Sequence, residues 1–194
     1  MRNLMIFIAT IICLSVNSNV YAGTPESIDL QKFMSERDQS YYTFPTKFGD
    51  VKFVTQDGSL GELAKKITLN GNILIDTTGK QDLQGYGISL MNGYSFEGSA
   101  IEFVPGRAKK GEWPITKRMI IFQGPDGNCI KGFTVLDFTG EQPYVSEKFG
   151  YNPDDRYCFT LKKAKWGKKE SYFYLQGPAT YIYYTGARAF GPIE

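Results

Sequence analysis

Lys162, Lys163, Lys165, Lys168 and Lys169 crowd around Trp166. Ammonium groups around an indole suit contact with an acidic protein, an anionic glycan or a phosphate-bearing lipid headgroup, with Trp166 as the desolvated anchor that interfaces favour. Lysines also keep an exposed sheet edge from pairing with neighbours, a purely structural use of the same residues. Just downstream lie Tyr172, Tyr174, Tyr181, Tyr183 and Tyr184. Strand periodicity puts Tyr172 and Tyr174 on one face and Phe173 and Leu175 on the other. The next strand can bring Tyr181 and Tyr183 beside the first pair, making a phenolic platform for sugar rings or a protein surface. Cross-strand packing alone would also employ them, at about 0.2–1 kcal/mol per pair.

The remaining chemistry is sparse. The chain has no histidine, which removes Ser-His-Asp triads, Cys-His pairs, the HExxH zinc motif and histidine general bases. Carboxylate-only, lysine-based and tyrosine-based mechanisms stay open. Asp126, Asp137, Glu141, Asp154 and Asp155 are the acids to inspect, yet their spacing matches no calcium loop. None stands out as a pair for glycoside hydrolysis. Gly85-Tyr86-Gly87 and Gly124-Pro125-Asp126-Gly127 do not open helices after buried strands, so they read as turns and not phosphate cradles. No cofactor, metal or catalytic residue is expected. With Arg2 removed as argued below, 21 cations face 20 acids, so no global field draws the protein to nucleic acid or anionic lipid.

The first 22 residues set the compartment. Arg2, the apolar run Leu4 to Val16, and Val20-Tyr21-Ala22 form a secretory signal pattern, with cleavage expected after Ala22. The run is too short to span a bilayer reliably. Residues 23–194 then form one domain, exported to the periplasm or secreted. Cys13 leaves with the signal, so Cys129 and Cys158 have one intramolecular pairing in an oxidising compartment. A disulfide closing that loop of roughly 28 residues stabilises by about 3 kcal/mol.

Elements must hold these groups in place. Thr24-Pro25-Glu26 is a good start for a short amphipathic helix reaching about Arg37. Val51–Val54 reads as a strand. Lys65–Leu69, Asn70-Gly71 and Asn72–Asp76 read as a hairpin with a type I′ turn. Further strands are expected at Gly87–Leu90, Ala100–Val104, Lys117–Gln123, Cys129–Phe138, Tyr157–Lys162, Glu170–Leu175 and Ala179–Tyr184, with Gly167 at a hairpin tip. Phe190 and Ile193 are odd residues for a solvated tail, so the C-terminus should pack back. Short strands, hairpin connections and no crossover helix predict a mainly β fold: a single-domain antiparallel β-sandwich or open barrel with a short N-terminal helix.

The function expected on these grounds is non-catalytic binding. The leading form is an inhibitor or immunity-type partner of a secreted or wall-active enzyme, with another protein as partner. A carbohydrate or lipid-headgroup module is the alternative, and a carboxylate-only hydrolase or a self-pairing homodimer are lesser ones.

Overall fold

The computed structural model describes residues 41–55, 63–80, 87–90, 100–106, 114–124, 132–150, 160–175 and 179–193. The expected signal segment, the N-terminal helix, Cys129 and Cys158 lie outside them. The described chain is mainly β, as the alternation of apolar positions predicts. Its strands are β1 (Tyr41–Thr46), β2 (Gly49–Val54), β3 (Lys66–Leu69), β4 (Asn72–Asp76), β5 (Gly87–Ser89), β6 (Ile101–Phe103), β7 (Thr116–Gly124), β8 (Gly132–Asp137), β9 (Tyr144–Val145), β10 (Leu161–Lys165), β11 (Glu170–Leu175), β12 (Ala179–Tyr184) and β13 (Ala189–Ile193).

The larger sheet runs β4-β3-β2-β1-β7-β8-β9, with β5 and β6 also paired to β7. It is nearly closed and barrel-like. Its hairpins are antiparallel, while β1 meets β7 in parallel at Thr46 and Thr116. Asn70 at φ 50° and Gly71 at φ 83° make the tight turn between β3 and β4. Positive φ at both central residues is the type I′ signature, least costly for glycine, asparagine and aspartate. Asn70 also ties in the preceding turn: its Nδ2 donates to Phe48 O at 2.6 Å, and its Oδ1 accepts from Asp50 N at 3.2 Å.

A smaller sheet, β10-β11-β12-β13, covers the outer face of β7 and β8. Those two strands are therefore buried on both faces. Met119, Ile121 and Leu136 point into the barrel-like sheet with Phe44, Phe53 and Ile67. Ile120, Phe122, Phe133 and Val135 point outward against Leu161, Phe173, Tyr181 and Tyr183. Aromatic rings run through this second core, with Phe133–Phe149 at 5.8 Å, Phe149–Phe173 at 5.7 Å and Phe173–Tyr183 at 6.1 Å between centroids. Such spacing lies in the favourable range for ring pairs.

Most expected strands occur where the pattern places them. Of the expected strand Tyr157–Lys162, residues 157–159 lie outside the described residues; the strand described there runs from Leu161 to Lys165, where Leu161 and Ala164 face inward and the lysines face out. β1 and β9 carried no alternation clear enough to read. The C-terminal segment packs back as expected, by becoming β13 along β12, although Phe190 and Ile193 remain partly exposed.

Candidate contact surface

The lysine-rich hairpin is built by β10 and β11, joined through 166–169. Lys162, Lys163, Lys165, Lys168 and Lys169 are all exposed. Trp166, expected as the desolvated anchor of a contact, has its ring turned toward the protein. It is half-buried, packs on the second core, and meets Phe173 edge-on at 5.3 Å. The indole gains more by covering Phe173 than by standing in water, and it is flanked by a cation, with Arg118 Cζ 5.0 Å from its ring.

That cation anchors the tip. Arg118 projects from β7 toward the smaller sheet and is 2% exposed. Nε donates to Glu102 Oε2 at 2.5 Å, and Nη2 to Gly167 O at 2.8 Å. Nη1 donates to Ser171 Oγ at 3.3 Å and Thr185 Oγ1 at 3.1 Å. Ser171 Oγ in turn accepts from Gly167 N, and Thr185 caps the carbonyls of Lys168 and Lys169. The guanidinium fork thus satisfies two turns of the smaller sheet at once, a task for which a lysine has the wrong shape. Lys117 Nζ holds the other oxygen of Glu102 at 2.6 Å.

Directly across from Arg118 in the β7–β8 ladder is Asp137. Its Oδ1 accepts from Thr139 N and Oγ1, at 2.8 and 2.6 Å. Its Oδ2 accepts from Tyr183 Oη at 2.8 Å. Burial first, and then the Asp137 charge, push the Tyr183 phenol far above its ordinary value, so it keeps its proton and stays the donor. Asp137 is 1% and Tyr183 0% exposed, which keeps solvent and solutes from this pair. It joins the sheets; it is not placed to meet a substrate.

The four tyrosines expected to share a platform are split by the register. Tyr172 pairs with Ile182, Phe173 with Tyr181, Tyr174 with Thr180 and Ser171 with Tyr183. Tyr181 and Tyr183 therefore face the core with Phe173. The outer face instead carries Tyr172 and Tyr174, both half-buried, beside Ile182 and the exposed Tyr184. Lys165 Nζ sits 5.2 Å from the Tyr174 ring, and Tyr184 meets Phe190 edge-on at 5.4 Å. Arg188 Cζ lies 4.3 Å from the Phe190 ring, extending the surface over β13. The adjacent Glu170 carboxylate raises the Tyr172 phenol above its ordinary value, and burial raises that of Tyr181.

The lysines, Tyr172 and Tyr174 thus form one continuous surface: cationic at β10 and the tip, aromatic across β11 and β12. β10 is also an edge strand, and its lysines discourage edge pairing in either role. Of the other acids, Glu141 is exposed, while Asp126, Asp154 and Asp155 lie outside the described residues. Among the described residues no three Cys, Asp or Glu side chains gather as a metal site would need. Sequence reasoning missed Arg118 and its partners. Its signal was a charge in a strand that is otherwise apolar from Met119 to Phe122, since a buried arginine demands partners.

Comparison of the chain with protein-family models, with curated proteins and with solved structures finds no match.

Proposed function

We propose that the protein is an exported, non-catalytic binding protein that engages an acidic protein surface with its lysine hairpin, as an inhibitor or immunity-type partner of a secreted or wall-active enzyme. One observation carries the reading: five exposed ammonium groups surround a tip whose backbone is tied to the buried Arg118 guanidinium. A flexible tip would lose ordering entropy on binding, and a tethered one loses less. The mechanism is occlusion, with the cationic tip set against carboxylates of the partner's cleft.

The test is affinity capture from the exported fraction with wild-type protein and with a Lys165→Glu, Lys168→Glu double variant. A partner retained by wild type at low salt, lost in the variant and weakened by added salt supports the reading. A partner retained equally by both removes the hairpin as the contact. The outer tyrosine face favours a second reading, a glycan module, because half-exposed Tyr172 and Tyr174 lie beside Lys165. Saturable fluorescence changes on titration with soluble wall glycans, lost in Tyr174→Ala, would favour it.

A further inference from the structure

The outer face of the smaller sheet is a ladder of aligned rows. In one row the register sets Lys165 beside Tyr172, Tyr172 beside Ile182 and Ile182 beside Phe190. A second row runs from Lys163 through Tyr174 and Thr180 to Ile193. Residues directly opposite in a ladder share a face, and the alternate positions Ser171, Phe173, Tyr181 and Tyr183 are buried on the other side. At the tip end Tyr184 stands opposite Glu170 and meets Phe190 edge-on. Tyr184, Phe190 and Ile193 are 41%, 40% and 37% exposed, so neighbouring aromatic and aliphatic surface stays in water. Apolar surface gathered in this way marks an interaction site.

Both flanks of this strip are cationic. Lys165 Nζ lies over the Tyr174 ring at one side, and Arg188 Cζ over the Phe190 ring at the other. A cation held over a ring still has N–H donors for an anion. Size then limits the ligand. Four strands at a spacing of about 4.8 Å, about five residues long at about 3.4 Å each, make a face of about 14 by 17 Å. That is about 240 Å², against about 800 Å² per partner in a standard protein interface. A second copy or a folded partner would need more than this face. Peptides recognised by sheets usually add a strand at an edge. The lysines of β10 discourage that, and at β13 Pro192 has no N–H to pair.

We propose that this face binds a short acidic oligosaccharide, laid across the strands between Lys165 and Arg188 with its sugar rings against Tyr174, Tyr172 and Tyr184. This deepens the glycan reading, on which it rests, by giving the sugar a charge and extending the site to β13. A pyranose has an apolar C–H face and a hydroxyl rim, and a tyrosine has an apolar body and a polar tip, so each suits the other. Carboxylates on the sugar meet a cation at either end of the strip. Glu170 is the one acid in the four strands. Its charge lies close to the Tyr172 phenol, where sugar hydroxyls in the middle of the chain donate to it. The hairpin tip, with Lys168 and Lys169, is left to a protein partner.

Trigalacturonate, cellotriose and triglutamate, titrated separately into the isotopically labelled mature chain and followed by amide chemical shifts, test the proposal. Saturable shifts at Tyr172, Tyr174 and Tyr184 with millimolar affinity for trigalacturonate are expected, and the neutral sugar and the acidic peptide should bind about tenfold more weakly. Arg188→Ala should weaken trigalacturonate about fivefold, which is about 1 kcal/mol. Tyr184→Ala should weaken it about tenfold, which is 1.4 kcal/mol. Both side chains are exposed, and unchanged shifts across the barrel-like sheet would show that the fold persists in each variant. Cellotriose bound as tightly as trigalacturonate overturns the acidic assignment and leaves the glycan reading standing. Triglutamate bound as tightly makes the face a general anion surface and overturns the proposal, as do two unaffected variants. No saturable shift with either sugar overturns both the proposal and the glycan reading.

Discussion

Replacing Arg118 with methionine removes the cation that joins the two sheets, and the structure sets the size of the effect. Arg118 is 2% exposed and makes four hydrogen bonds, to Glu102, Gly167, Ser171 and Thr185. Breaking a buried ion pair by removing one partner costs about 3–5 kcal/mol, chiefly through the charge left behind. Glu102 is not left alone, however. Its side chain is 15% exposed, and Lys117 still holds it at 2.6 Å. The expected loss is therefore about 3 kcal/mol, from the lower end of that range. Against a typical total of about 5–15 kcal/mol this is a large fraction. Urea denaturation at unchanged slope measures it. Hydrogen exchange of the Gly167 and Thr185 amides should quicken more than that of Phe173, because their acceptors, Ser171 Oγ and Lys169 O, lie on and beside the tip that Arg118 holds. Arg118→Lys should recover only part of the stability, since an ammonium cannot span Glu102 and Gly167 together. A stability loss below about 1 kcal/mol, the level of an exposed ion pair, would refute the argument that this guanidinium clamps the sheets.

Other consequences are more local. Tyr183→Phe removes the phenol that donates to buried Asp137, and should cost about 2 kcal/mol by denaturation, in the range for hydrogen bonds to charged groups. Asp76 is held down to about 2 by the Thr78 hydroxyl and amide, with Lys66 a lesser cause. Because its folded value lies below the unfolded 3.8, its contribution is present above pH 4 and is lost as pH falls toward 2. A carboxyl NMR titration should show that depressed midpoint, and Thr78→Ala should raise it. Asn70→Ala loses the bonds to Phe48 and Asp50 and puts alanine, which tolerates the left-handed region less well than asparagine, at φ 50°. About 1–2 kcal/mol of destabilisation by urea denaturation is expected, with the β3–β4 register otherwise kept.

Much of the β architecture was legible along the chain, and particular residues show why. Asn70-Gly71 encodes its own turn, since positive φ at two successive positions is a property of those residue types. The strands Glu170–Leu175 and Ala179–Tyr184 occur at the bounds the pattern suggests, because alternation is read within one strand. β1 was not legible: Tyr41–Thr46 contains Pro45, which demotes a strand pattern, and its place is secured by pairing with β2 and with Thr116. The second core was hidden for a related reason. A run such as Met119 to Phe122 announces burial on both faces but not which layer lies on each.

The contact surface divides in the same way. Its lysines follow from composition, since charged side chains on a short hairpin stay in water wherever the hairpin lies. Tertiary structure alone decided which tyrosines join them and what fixes the tip. Tyr172 meets Ile182 and not Tyr181 because the β11–β12 register falls there, and a shift by one residue would exchange the faces of every side chain on β12. Likewise, Arg118 is a clamp only because folding brings Glu102, Gly167, Ser171 and Thr185 to it from distant parts of the chain. Residue type sets what a group can bond; only the packed sheets set what it reaches.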